Sequence, residues 1–79
     1  MKLPNITRTS IYDQYVDDLH HIATTNPPDE TWLPWPNQTN LTEGTRRTYR
    51  GLINRGERLG DGYEARIRGG WLYVRVKPN

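Results

Sequence analysis

Tyr63-Glu64-Ala65-Arg66-Ile67-Arg68, then Gly69-Gly70, then Trp71-Leu72-Tyr73-Val74-Arg75-Val76-Lys77: two alternating runs flank a pair of glycines, and this stretch decides the fold. A two-residue primed turn needs positive φ at both central positions, which Gly-Gly adopts without a Cβ clash. Such a turn fixes the register. Arg68 is expected opposite Trp71, Ile67 opposite Leu72, Arg66 opposite Tyr73, Ala65 opposite Val74 and Glu64 opposite Arg75. Side chains alternate across a strand, so Tyr63, Ala65, Ile67, Leu72, Val74 and Val76 share one face, which reads as core. The other face carries Glu64, Arg66, Arg68, Trp71, Tyr73, Arg75 and Lys77. It is cationic and aromatic together, a combination suited to touching phosphates and bases at once.

The rest of the chain must cover the apolar face with little material. Its 79 residues are 33% hydrophobic, with eight aromatics, no Phe and no Cys, and the mean hydropathy is −0.96. One small domain is expected, with a core built on tryptophan and tyrosine. Lack of cysteine removes disulfide frameworks, thiolate zinc sites and cysteine nucleophiles. No apolar run is long enough to span a bilayer, and the N-terminus lacks a signal-peptide core, so a cytoplasmic protein without membrane contact is expected. Charge is unevenly placed. Up to Pro36 there are two basic and five acidic residues; from Asn37 onward there are nine basic and four acidic. A basic half on a nearly neutral chain concentrates positive field where a polyanion would dock.

Residues 1–9 read as an extended arm, preceding a domain over residues 10–79. Ser10 is a candidate N-cap, and Ile11, Tyr15, Leu19, Ile22 and Ala23 recur at helical spacing, predicting a helix from Ile11 to Thr24 that Asn26-Pro27-Pro28 terminates. Thr31-Trp32-Leu33 has strand propensity, but Pro34 and Pro36 confine it to a short edge strand beside the hairpin. Asn40 with Glu43 three residues on fits a reciprocal capping pattern and predicts a second helix to about Arg55. Its expected inner face is Leu41, Thr45, Thr48, Tyr49, Leu52 and Ile53; Arg46, Arg47, Arg50, Asn54 and Arg58 are expected outside. The order is α-β-α-β-β. The predicted fold is a small α+β domain with two helices on one face of a three-stranded antiparallel sheet.

Arginine and asparagine on an exposed helix are the residue types that bridge phosphates or reach base edges in a major groove. The expected nucleic-acid-binding residues are therefore Arg46, Arg47, Arg50, Asn54 and Arg58 of the helical segment, and Arg66, Arg68, Trp71, Tyr73, Arg75 and Lys77 of the hairpin. The bland alternative is that Arg68 stacks on Trp71 and Arg66 on Tyr73 while the helix arginines are merely solvated. Trp, Tyr and Arg are also the residues enriched in protein hot spots, and an edge strand can pair with a partner or a second copy. His20-His21 with Asp17 has the spacing of helical metal ligands, but adjacent helical residues point about 100° apart. His20 is expected to be partly buried and His21 solvent-facing, with no metal and no cofactor. No nucleophile triad, phosphate loop or inward carboxylate pair is visible, so no enzymatic activity is expected.

The element order resembles a reduced winged-helix domain, with one helix where a full winged helix has two before its hairpin wing. From Gly62 to Arg75 the chain also resembles small actinobacteriophage proteins that share a basic helix followed by an arginine-rich hairpin. That resemblance implies expression in a bacterial host cytoplasm and a regulatory or host-modifying role, and it carries no catalytic residues. The sequence-based expectation is a non-catalytic protein, monomer or homodimer, that binds nucleic acid, with duplex DNA preferred. The alternative is a phage-encoded protein that binds and modulates a host protein through Trp71, Tyr73 and the neighbouring arginines.

Overall fold

In the computed structural model, which describes residues 11–78, the hairpin strands are β2 (Tyr63–Arg68) and β3 (Trp71–Val76). They pair in the expected register from Arg68↔Trp71 to Tyr63↔Val76. Gly69 and Gly70 both take positive φ, 61° and 87°, as the tight turn requires. The segment before them supplies β1 (Leu33–Pro34), which pairs antiparallel with β3, giving the sheet order β1-β3-β2. Pro34 lies opposite Tyr73, and Leu33 opposite Val74. Ladder bonds alternate along an antiparallel pair, so Pro34 falls where no donor is needed.

Helix α1 (Ile11–Thr25) and helix α2 (Glu43–Asn54) flank β1 in sequence. Leu19 of α1 and Ile53 of α2 are fully buried against Leu72, Val74 and Ala65, so both helices cover the apolar face of the sheet. Trp35 is the hub of the core. Its ring centroid lies 5.4 Å from Tyr12, 5.3 Å from Tyr15 and 5.8 Å from Tyr49, the last two edge-on, a geometry that aromatic quadrupoles favour. The Tyr15 hydroxyl donates to the Leu33 carbonyl at 2.7 Å, tying α1 to β1. The expected arm lies outside the described residues.

Helix α2 begins later than the capping pattern suggests. Asn40 ends a short 3-10 turn over Gln38–Asn40, and Leu41 is extended. The N-cap is Thr42, whose hydroxyl accepts from the Thr45 N–H at 3.1 Å. At the other end Gly56 has φ 78°, with Gly56 N–H bonded to Ile53 C=O and Glu57 N–H to Leu52 C=O. That is a Schellman closure, and it turns the chain toward β2.

Two side-chain amides complete the sheet. The chain leaves β1 at Trp35, whose N–H donates to the Leu72 carbonyl at 3.0 Å. The reciprocal bond is absent, and the buried Gln38 amide is inserted in its place. Gln38 Oε1 accepts from Leu72 N–H at 2.7 Å, while Nε2 donates to Trp35 C=O at 3.1 Å and to Leu72 C=O at 3.0 Å. On the opposite edge Asn54 bonds both backbone groups of Ala65, accepting at 2.8 Å and donating at 3.1 Å.

Replacing Gln38 by Leu strands a buried donor and a buried acceptor, so Gln38→Leu is expected to lower the unfolding free energy by about 2–4 kcal/mol. The exposed neighbour substitution Thr39→Ala is expected to change it by less than about 0.5 kcal/mol. Urea titration followed by circular dichroism checks both, and equal midpoints would refute the structural role of the amide. Burial raises the Tyr15 hydroxyl well above the ordinary tyrosine pKa. Its contribution to stability is therefore complete below about pH 10 and is lost as pH climbs beyond that, which urea midpoints at pH 8 and pH 11 in wild type and Tyr15→Phe would compare.

Candidate functional site

The sheet face turned away from both helices carries the expected cationic and aromatic set, with one addition. Trp32-Leu33-Pro34-Trp35 alternates: Leu33 and Trp35 pack into the core, so Trp32 and Pro34 belong to the outer face. The Trp32 ring meets two hairpin arginines, with the guanidinium carbon of Arg66 4.1 Å and that of Arg75 4.5 Å from its centroid. Period-two reading of this segment against Val74 was the available signal for Trp32.

Arg75 Nε also bonds Glu64 Oε2 across the strands at 2.6 Å. Arg66 Nε is buried and has no acceptor among the described residues. Arg68 and Lys77 are exposed at opposite ends of the hairpin. The face thus presents four cations against one carboxylate, interleaved with Trp32, Tyr73 and Trp71, the last 41% exposed. Neither cross-strand stack of the bland alternative forms as drawn. Trp71 is stacked by Arg46 of α2 rather than by Arg68, and Arg66 lies over Trp32, the residue before β1, rather than over Tyr73.

The basic side of α2 divides. Arg46 is half-buried and spent on structure: Nε and Nη2 donate to Gln38 C=O at 3.2 and 3.0 Å, Nη1 donates to Gly70 C=O at 3.0 Å, and its carbon sits 4.4 Å from the Trp71 centroid. Asn54 is likewise engaged with Ala65. Arg46 is drawn in rather than turned outward as expected, whereas Asn54 is exposed as expected but spends its amide on Ala65: the helix flank that bears them faces the hairpin backbone, whose turn and edge need donors and acceptors. Arg50 is exposed and, being four residues from each, shares that flank of α2. Arg47 pairs with Glu43 at 2.7 Å on the helix surface. Arg58 lies in the helical layer, 4.4 Å from the Tyr49 centroid, 5.6 Å from Tyr12 and 5.8 Å from Trp35. The structure therefore gathers Arg66, Arg68, Trp71, Tyr73, Arg75 and Lys77, with Arg50 at the margin, and leaves Arg47 and Arg58 on the other layer.

Beside Trp71 the outer face dips into an open cleft of about 450 Å³, walled by Trp71, Tyr73 and Pro34 and by the turn Asn37-Gln38-Thr39. Asn37 takes left-handed backbone, φ 57°. Nothing in the sequence alone had pointed to this turn as part of a site; its signal was the isolated glutamine between two prolines and the helix cap.

His20 is exposed rather than half-buried, because it stands at the rim of α1; its Nε2 shares a 2.6 Å hydrogen bond with the Tyr63 hydroxyl. Among the described residues no group of three His, Cys, Asp or Glu is placed to hold a metal ion, and no helix is long and apolar enough to cross a membrane. Comparison with family models, curated proteins and solved structures finds no match for this chain.

Arg46→Lys replaces a planar fork on two carbonyls by a single ammonium, and is expected to cost about 1–3 kcal/mol of stability. Arg47→Lys, at an exposed i,i+4 pair, is expected to cost less than about 0.5 kcal/mol. Thermal melts of the two variants make the comparison; a similar melting point for both would remove Arg46 from the framework.

Proposed function

We propose that this chain is a non-catalytic nucleic-acid-binding protein, of a small regulatory kind, whose contact surface is the outer face of the sheet. The observation that carries the reading is Trp71, an exposed ring held within a face of four cations and one carboxylate. Beyond its contact with Arg46, much of this large ring is left in water, and its position among guanidinium groups suits a ligand that is both planar and anionic.

The duplex mode that a winged-helix comparison suggests needs free readers on α2. Arg46 and Asn54 are committed to the hairpin, so in this proposal α2 braces the face and contributes Arg50 at its margin. Edge pairing with a protein partner has little support. β1 is two residues long and contains Pro34, and Asn54 occupies the middle of the β2 edge. A host protein seated on Trp71 is the competing reading, and it differs in its response to ions.

Binding to a generic oligonucleotide is expected to weaken steeply with salt, since each phosphate neutralised releases a counterion. Arg68→Ala with Lys77→Ala should flatten the slope of log K against log salt by about 0.7–0.9 for each cation lost. Filter binding at four ionic strengths measures this. Undetectable binding at low salt, or a slope unchanged in the double variant, would refute the proposal.

A further inference from the structure

We infer that the cleft beside Trp71 is a seat for an unpaired base, so that the preferred ligand is a single strand rather than a duplex; this rests on the nucleic-acid reading above. Three features point to it. The walls are the right chemistry: Trp71 and Tyr73 offer ring surfaces and Pro34 an apolar edge, in a cleft of about 450 Å³, within the range of about 300–1,000 Å³ common for small-molecule sites. A base paired and stacked inside a duplex cannot present its faces to such walls, whereas a splayed base stacks on them regardless of its identity.

The walls are also held in place without filling the space. Arg46 stacks on Trp71 yet does not line the cleft, so it braces the ring and leaves the cavity open. Gln38 forms the floor with all three of its amide bonds already made to Leu72 and Trp35. Its amide is rigid and unavailable to the ligand, which leaves the exposed Asn37 amide and Thr39 hydroxyl on the rim to meet base edges.

The third feature is charge. Trp71 and Tyr73 continue along β3 to Arg75 and Lys77, with Arg66 and Arg68 on the neighbouring strand. A base in the cleft would place its flanking phosphates along that row. An apolar peptide segment would make no use of the positive field along that row.

Calorimetric titration of the full chain with three probes tests this: a 12-nucleotide mixed-sequence DNA single strand, the same strand with abasic sites at its four central positions, and its duplex. The intact strand should bind about 5- to 100-fold more tightly than the abasic strand, and at least about tenfold more tightly than the duplex. Trp71→Leu should remove most of the preference for the intact strand while leaving abasic binding unchanged, and the wild-type comparison stands even if that variant folds poorly. Equal affinity for all three probes would overturn the base seat and leave the electrostatic reading intact. Absence of binding to any of them would overturn both. A free mononucleotide, titrated as a fourth probe, that matches the strand in affinity would overturn the strand in favour of a small nucleotide ligand.

Discussion

One inserted amide holds the architecture together. Where β1 turns away from β3 after Trp35, Leu72 would be left with a buried N–H and Trp35 with an unanswered C=O; the Gln38 side chain answers both. The same residue's backbone carbonyl accepts the Arg46 guanidinium and the Leu41 N–H. Sheet, hairpin turn and the start of α2 thus meet at a single position. In a chain this small, where apolar burial alone leaves little margin, a buried amide with every bond made substitutes for core volume that the sequence does not have.

How much of this could be read from the residues follows from the range of the forces involved. The hairpin register was fully determined, because Gly69-Gly70 and strict alternation act within fifteen residues. The α1 stripe and the edge position of the Pro34 segment were likewise local properties. What could not be read was which polar side chains would be engaged by the hairpin backbone. Arg46 and Asn54 sit at helix positions that solvate well in isolation, and only the nearness of Gly70 and Ala65 in space turns them into struts. The start of α2 was misplaced for a related reason: Asn40 and Thr42 are both competent caps, and the 3-10 turn that Gln38 organises consumes the first. Trp32 and the cleft lie in between, since alternation puts the indole outside but nothing along the chain says which arginines it will meet.

These struts also shape how the molecule meets its neighbours. A three-stranded sheet has two edges, each an invitation to further pairing. One edge here is brief and contains a proline, and the other has its central residue occupied by Asn54. Backbone-mediated association is thereby discouraged, while the broad outer face is kept clear for side-chain chemistry. Cations there are not scattered: Arg66 and Arg75 are ordered against Trp32, so the entropy of fixing two long side chains is spent in folding rather than at the moment of contact.

The three indoles occupy three distinct settings: Trp35 enclosed by tyrosines in the core, Trp32 in contact with two guanidinium groups, and Trp71 partly open to water beside the cleft. The molecule therefore carries built-in optical labels. Emission from Trp35, fed by energy transfer from Tyr12, Tyr15 and Tyr49, follows the integrity of the interior, and quenching by iodide is weighted to Trp71. Loss of the fold and occupation of the surface leave separable spectral signatures in one unlabelled chain.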